Sequence, residues 1–281
     1  MKIGQFSDSF LPIVDGVGRV VYNYATALSR CGEECYVIAP MADTGYRGGY
    51  PFELVDFISR ELPRQKQYST GIPQLDSHYD ARMRDVPLDI VHAHSPFIAG
   101  LEAQRLARRR GIPLIGMFHS RYYDDFYQIM GTEMLANLAV ATIVSFYQRC
   151  DEVWTVSQSS KETLYDYGYV GDVVVMPNGT PDIDPSEARA AKAKEHFNLP
   201  DEPILLYCGQ MNWKKNILRI LESCACYAKS GKPFTLVLAG QGPDVKSIHQ
   251  KVDELGLTDR VRFTGHITGE DELYGLYENA D

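Results

Sequence analysis

The feature that most constrains this chain is an alternation, sustained almost from end to end, of short apolar runs with segments of helical periodicity. Lys2-Ile3-Gly4-Gln5-Phe6, Tyr36-Val37-Ile38-Ala39, Asp89 to His94, Pro113 to Phe118, Glu152 to Val156 and Val173 to Met176 have the length and composition of buried strands. Between them apolar residues recur at helical spacing, as in Val17, Val20, Val21, Tyr24, Ala25 and Leu28, with Gly32 and Gly111 placed as stops. Such alternation implies mostly parallel sheets with helices on both faces, because parallel neighbours need a crossover connection.

The pattern divides in two. Pro177 to Pro185 has a linker's composition, with three Pro, three Asp or Asn and one Gly. A second series follows: strand 204–207, helix 217–229, strand 234–239, helix 245–255, strand 261–263 and helix 271–279. The expected architecture is therefore α/β, with one Rossmann-like domain over 1–180 and another over 181–281. Only three strands are clear in the second, and Ala280-Asp281 falls where a further strand is due. A C-terminally truncated protein is the expectation. Met41 to Pro87 is looser, around a possible strand at Phe52–Phe57, and one long helix is expected from beyond His119 to about Cys150. Its apolar stretch, Met134 to Tyr147, is too short to span a bilayer and reads as buried.

A net charge of −9 argues against a nucleic-acid partner. The basic run Arg105 to Arg110 reads as a solvated helix face, with a membrane or polyanion patch as the alternative. Six cysteines without a C-x-x-C pair suggest reduced, mostly buried thiols, and Asp8 interrupts the apolar start that a signal peptide would need. Cytoplasmic placement follows, with peripheral contact at the inner face of a membrane left open.

Two loops carry the chemistry. Asp15-Gly16-Val17-Gly18-Arg19 follows the first strand, and Gly209 to Asn216 follows the strand at 204–207. Strand-to-helix loops of this kind present backbone N–H groups and a helix N-terminus to an anion. Asp15 would repel a phosphate beside it, so its carboxylate suits either a substrate hydroxyl or the helix cap. Lys215 opens the helix after the second loop, where an ammonium would neutralise a diphosphate, with Lys214 as competitor. His119 ends a strand, the position at which open α/β sheets bind ligands. His92 and His94 end the preceding strand on one face, one suited to the core and His94 able to reach the site. Spacing supplies no third metal ligand. Leu238-Ala239-Gly240-Gln241-Gly242-Pro243 reads as a tight strand-to-helix turn. The loops match neither G-x-x-x-x-G-K-[ST] nor a full G-x-G-x-x-G.

Together these residues resemble glycosyltransferase family 4. The resemblance runs through Pro12-Ile13-Val14-Asp15-Gly16-Val17-Gly18, Asp89 to His94, Val156-Ser157 with Lys161, Met176-Pro177-Asn178-Gly179, Tyr207-Cys208-Gly209-Gln210 with Lys215, Leu238 to Gly242, and Val261, Phe263 and Gly265. It implies a GT-B fold of two Rossmann-like domains and retaining transfer of a sugar from a nucleotide diphosphate sugar, usually without a bound metal or other cofactor. It implies a donor domain at the C-terminus and an acceptor-side domain at the N-terminus. Position by position, Gly16 and Gly18 match the glycine loop near the donor diphosphate, and Lys215 the lysine that binds it. His119 matches the strand-end histidine near the transferred sugar, and Gly265-His266-Ile267 a loop whose backbone meets the base. Gln210 departs from the family's usual arginine after the diphosphate-loop glycine. The family's two glutamates eight residues apart would fall beyond Asp281, so the resemblance implies little or no activity for this length of chain. Phe118 to Tyr127 loosely resembles the H-T-x-Y-x-D-Y segment of diacylglycerol glucosyltransferases, which places Tyr122 with Asp15 and His94 on the acceptor side. A saccharide or a lipid headgroup would serve as acceptor. A nucleotide-sugar epimerase of the same fold and a non-catalytic sugar-nucleotide-binding module are the alternatives.

Overall fold

The computed structural model describes residues 1–11, 15–41, 48–62, 65–180 and 183–281. Pro12-Ile13-Val14 of the first motif, and Pro181 and Asp182 of the expected linker, lie outside the described residues. The chain forms two compact units, Met1–Pro181 and Asp182–Asp281.

In the first unit the described elements run β1 (Lys2–Phe6), α1 (Gly16–Arg30), β2 (Glu34–Ala39), β3 (Glu53–Asp56), β4 (Arg60–Leu62), β5 (Gln65–Thr70), α2 (Ser77–Asp85), β6 (Ile90–Ala93), α3 (Ile98–Arg110), β7 (Leu114–Phe118), α4 (Tyr123–Met130), α5 (Glu133–Tyr147), β8 (Glu152–Thr155), α6 (Gln158–Asp166) and β9 (Val174–Val175). Seven strands make one parallel sheet in the order β3-β2-β1-β6-β7-β8-β9. Successive side chains of a strand point to opposite faces, so Val37 and Ile38 of β2 enter different apolar clusters. One cluster holds Val21 and Ala25 of α1, and the other Ala103, Leu106 and Phe146 of α3 and α5. The chain winds outward from β1 to β3 and then back from β6 to β9, which puts the topological switch between β1 and β6.

Five expectations need correction here. The loose stretch before β6 contains the antiparallel hairpin β4–β5 and helix α2, whose first amides (His78 and Tyr79) are capped by Asp76. The single long helix is two: Gly131 at φ +72° closes α4, and Thr132 caps α5. Its apolar start is not buried, since Met134 is 77% and Leu138 66% exposed, and α4 buries no residue at all. The basic run is only partly solvated. Arg105 forks onto the buried Glu102 carboxylate, with bonds of 2.7 Å from both Nε and Nη2, and Arg110 donates to the carbonyls of Val86 and Met83. Among the cysteines, Cys31, Cys208 and Cys226 are exposed, and burial pushes the Cys150 thiol up to about 12.

The second unit runs α7 (Glu187–His196), β10 (Ile204–Cys208), α8 (Ile217–Ala228), β11 (Thr235–Ala239), α9 (Val245–Glu254), β12 (Val261–Gly265) and α10 (Glu270–Asn279). Three parallel strands pair in the order β10-β11-β12. Leu236 and Leu238 of β11 enter one apolar cluster and Val237 and Ala239 the other. Helix α7 has no counterpart in the sequence reading. Its alanine-rich face packs on α10, where the side chain of Arg189 meets Glu278 and Asn279 Nδ2 donates to Ala190 O at 2.8 Å.

Candidate active site

Every candidate of the first unit stands at the carboxyl ends of its parallel strands. Asp15 caps α1: its Oδ1 accepts from Gly18 N at 2.6 Å, while Oδ2 accepts from the Ser9 hydroxyl at 2.6 Å. Of the two uses open to this carboxylate, the structure employs it as a cap, and the Gly18 amide expected to face a diphosphate is taken by it. Gly16 differs. A Cβ placed there would meet nothing within 4 Å, and its backbone is outside the left-handed region. Among the described residues neither packing nor conformation requires glycine at 16.

The loop after β1 also holds Asp8, whose Oδ1 accepts from Ala99 N at 3.0 Å and whose Oδ2 accepts from Ser95 Oγ at 2.5 Å. Burial raises its pKa while these bonds lower it. Asp8 thus serves the N-terminus of α3, a part that sequence reasoning missed because its partners lie 87 and 91 residues away.

Three adjacent strands then contribute one polar side chain each. Gln5 is buried on β1, His94 follows β6 and His119 follows β7. His94 Nε2 lies 2.6 Å from Gln5 Oε1, and His94 Nδ1 lies 3.1 Å from His119 Nε2, with the two rings stacked 5.4 Å apart. His92, beside His94 with ring centroids 4.1 Å apart, is the core histidine. His94 is itself fully buried, so it reaches ligand space only through His119. Burial drives all three imidazoles toward the neutral form: His92 to about 3, His119 to about 4, and His94 well below the ordinary value.

Tyr122 proves to be a packing residue. Its ring meets Phe97, Phe118 and Phe126, and burial raises its phenol well above the usual range. Ser157 and Lys161, quoted in the family pattern, are structural too: Ser157 caps α6, and Lys161 Nζ donates to Val173 O at 2.8 Å.

In the second unit the loops after all three strands are laced by backbone bonds. Gly209 N donates to Ala239 O, Gly240 N to Gly265 O, Met211 N to Gln241 O and Asp244 N to Met211 O, at 2.8–3.1 Å. This array holds Trp213-Lys214-Lys215 as a turn of 3-10 helix before Asn216, which adopts φ +60°. Helix α8 then begins with no side-chain cap and no acidic residue in its first turn. Gln210, Lys214 and Lys215 are exposed beside it. Where α1 carries a capping carboxylate, α8 has no side-chain cap and follows Lys214 and Lys215, which makes its start the better suited of the two to an anion. In the loop after β12, His266 and Thr268 are exposed and Ile267 packs against the cluster of Leu199 and Leu276. Among the described residues no three His, Cys, Asp or Glu side chains converge as metal ligands.

Two Rossmann-like units whose polar groups gather at the carboxyl ends of parallel strands are the GT-B type of fold, and solved glycosyltransferases match it. Anabaena HepE in complex with UDP-glucose aligns with a TM-score of 0.68 at 18% identity, over 97% of this chain and 71% of that one. The catalytic domain of Starch Synthase IV from Arabidopsis thaliana, bound to ADP and acarbose, aligns with a TM-score of 0.63 at 15% identity, over 100% and 77%. The sequence is more specific. Residues 14–182 match the model of Glycosyltransferase Family 4, and residues 189–281 that of Glycosyl transferases group 1. The chain belongs to glycosyltransferase family 4. Its curated relatives include an alpha-monoglucosyldiacylglycerol synthase of Streptococcus pneumoniae, 26% identical over all of this chain, and a GDP-mannose-dependent alpha-mannosyltransferase of Corynebacterium glutamicum, 27% identical over all of it. The chain spans 65% of the length of each of these two relatives.

Proposed function

We propose that this chain acts in the retaining transfer of a sugar from a nucleotide diphosphate sugar to a hydroxylated acceptor, its second unit engaging the donor and its first the acceptor. The observation that carries this reading is the start of α8, which has no side-chain cap and no acidic residue in its first turn and directly follows the turn that holds Lys215. Departure of a nucleoside diphosphate builds negative charge on the bridging oxygen. Lys215, Gln210 and the α8 amides supply that charge with fixed donors, in place of a metal ion or other cofactor. Gly16 admits the donor to the α1 backbone, and the loop at His266 and Ile267 receives the base. His119 is the catalytic residue in the sense that it touches the sugar: it orients a hydroxyl while the anomeric carbon gains oxocarbenium character.

For the acceptor, a lipid headgroup is favoured over a soluble saccharide by the apolar surface directly after His119. Tyr127, Ile129, Met130, Met134 and Leu138 are all exposed on α4 and α5, enough to shelter acyl chains at a membrane surface. Asp124, Asp125 and Glu133 are exposed in the same segment, which selects an uncharged headgroup. The contact proposed is peripheral, through α4 and α5 at the inner face of a membrane; among the described residues no helix is long and apolar enough to cross one.

The test is donor turnover. UDP-glucose and GDP-mannose are each incubated with the full-length protein and either diacylglycerol micelles or a soluble saccharide, and nucleoside diphosphate release is followed. Release with micelles alone is the expected result. No release from either donor with either acceptor would sink the reading.

A further inference from the structure

Gln5 has no place in the reaction as described, yet it is a polar side chain buried on a central strand, and its side-chain partner among the described residues is His94. Neutral imidazole carries one N–H, so a bond at one nitrogen decides what the other can do. The Gln5 carbonyl oxygen only accepts. His94 must therefore place its proton on Nε2, 2.6 Å away, and present Nδ1 as a lone pair. The atom facing that lone pair at 3.1 Å is His119 Nε2, which must then be the protonated nitrogen of His119. The remaining nitrogen of His119, Nδ1, is left as an acceptor.

We propose that Gln5, acting through His94, is a positioning residue that fixes His119 as its Nε2–H tautomer, so that His119 Nδ1 accepts a hydrogen bond from a hydroxyl of the transferred sugar. The relay runs across three neighbouring strands, β1, β6 and β7, and each member is held by the sheet: Gln5 pairs with His92 in register, and His94 N donates to Phe6 O at 2.8 Å. Among the described residues the groups facing His94 are His92, His119, Tyr24 and Gln5, none of them a carboxylate or a cation. Burial keeps His94 and His119 neutral at pH 7, and only a neutral ring has a tautomer to set. The polarity also selects the ligand atom: an acceptor nitrogen binds a sugar O–H through its proton, and rejects a carbonyl or phosphate oxygen placed there.

The sugar half of this inference rests on the proposed function; the tautomer half does not. Nitrogen-resolved NMR of the imidazoles in the 281-residue chain at pH 7, without donor or acceptor, reads the tautomer directly. The expected result is Nε2–H with unprotonated Nδ1 on both His94 and His119. In Gln5→Met, which keeps the side chain's length and removes its acceptor, the second tautomer should become populated at His119. Nδ1–H on His119 of the unaltered chain would overturn the proposal, and so would unchanged tautomers in a folded Gln5→Met chain. The unaltered chain decides the matter alone if the variant does not fold. In the turnover assay, Gln5→Met should lower kcat about tenfold with the donor KM unchanged. A variant with kcat intact would overturn the sugar half, whereas absence of turnover in the unaltered protein would strike the proposed function and leave the tautomer result standing.

Discussion

A Cβ built on Gly240 would lie 1.9 Å from the carbonyl oxygen of Gly209. Two consecutive strand-end loops thus touch backbone to backbone, and Gly240 sits at φ +136°, where side chains are rarely tolerated. Gly240→Ala must push the two loops apart and break the bonds of Gly209 N and Gly240 N. The expected cost is about 3 kcal/mol in the second unit. Urea denaturation followed by Trp213 fluorescence measures it, and a loss under about 1 kcal/mol would show that the loops are not mutually braced.

Gly16 and Asp15 should separate ligand binding from folding. Gly16→Ala adds a methyl group to open space at the first position of α1, so stability should hold within about 0.5 kcal/mol. Donor turnover should nonetheless fall at least about tenfold. Asp15→Ala removes a helix cap and should cost about 1 kcal/mol, with Asp15→Asn recovering most of it. Equal turnover in Gly16→Ala and the unaltered protein would remove Gly16 from the site.

The buried histidines predict a one-sided pH dependence. In the folded state His92 and His119 bind a proton only near 3 and 4, whereas the unfolded chain takes it up near 6.5. Their folded pKa values are depressed, so between these limits the unfolded chain holds more protons. Stability is then fully present above about pH 6.5 and drains as pH falls toward 4, at about 1.4 kcal/mol per pH unit for each such histidine. The first unit should be measurably weaker in urea at pH 5.5 than at pH 7. His92→Phe, which replaces a ring whose Nε2 has no partner among the described residues, should flatten that difference by one histidine's share. An identical pH slope in the variant would contradict the assignment.

Lys215 and Lys214 can be told apart by calorimetry with a nucleoside diphosphate. Lys215→Met should weaken binding about tenfold, roughly 1.4 kcal/mol. Lys214→Met should weaken it less than about threefold, because Lys215 stands next to the uncapped α8 start. The reverse order would transfer the role to Lys214.

Much of this was legible in the sequence where physics is local. The strands of the two parallel sheets, the helix of Val17 to Leu28 and the stop at Gly32 follow from period and punctuation, whereas the β4–β5 hairpin did not. The break at Gly131 was missed because the apolar spacing continues across it, and a single left-handed glycine outweighs that continuity. Helix α7 was missed because alanine gives a weak hydrophobic signal and its partner, α10, lies some 80 residues later. Strand-end placement singled out His119, Gly16 and Lys215 as candidates, and the structure puts each of them in the loop or helix start that follows a parallel strand. The duties of Gln5 and Asp8 were invisible, since each depends on partners brought in by the sheet rather than by sequence neighbours. Tyr122 misled for a related reason: a motif position fixes the residue type but not which way the ring turns.

Gln5 and His94 are 89 residues apart in the chain, and His94 and His119 are 25 apart. Their line of hydrogen bonds can exist only after β1 has been inserted beside β6, which requires closing the longer of those loops. A chain with its helices formed but its central strands unpaired would hold every residue of the relay and none of its directionality. The proton position on His119 is therefore a stopwatch for assembly, and its appearance during refolding should coincide with the last step that commits the first unit to its native topology.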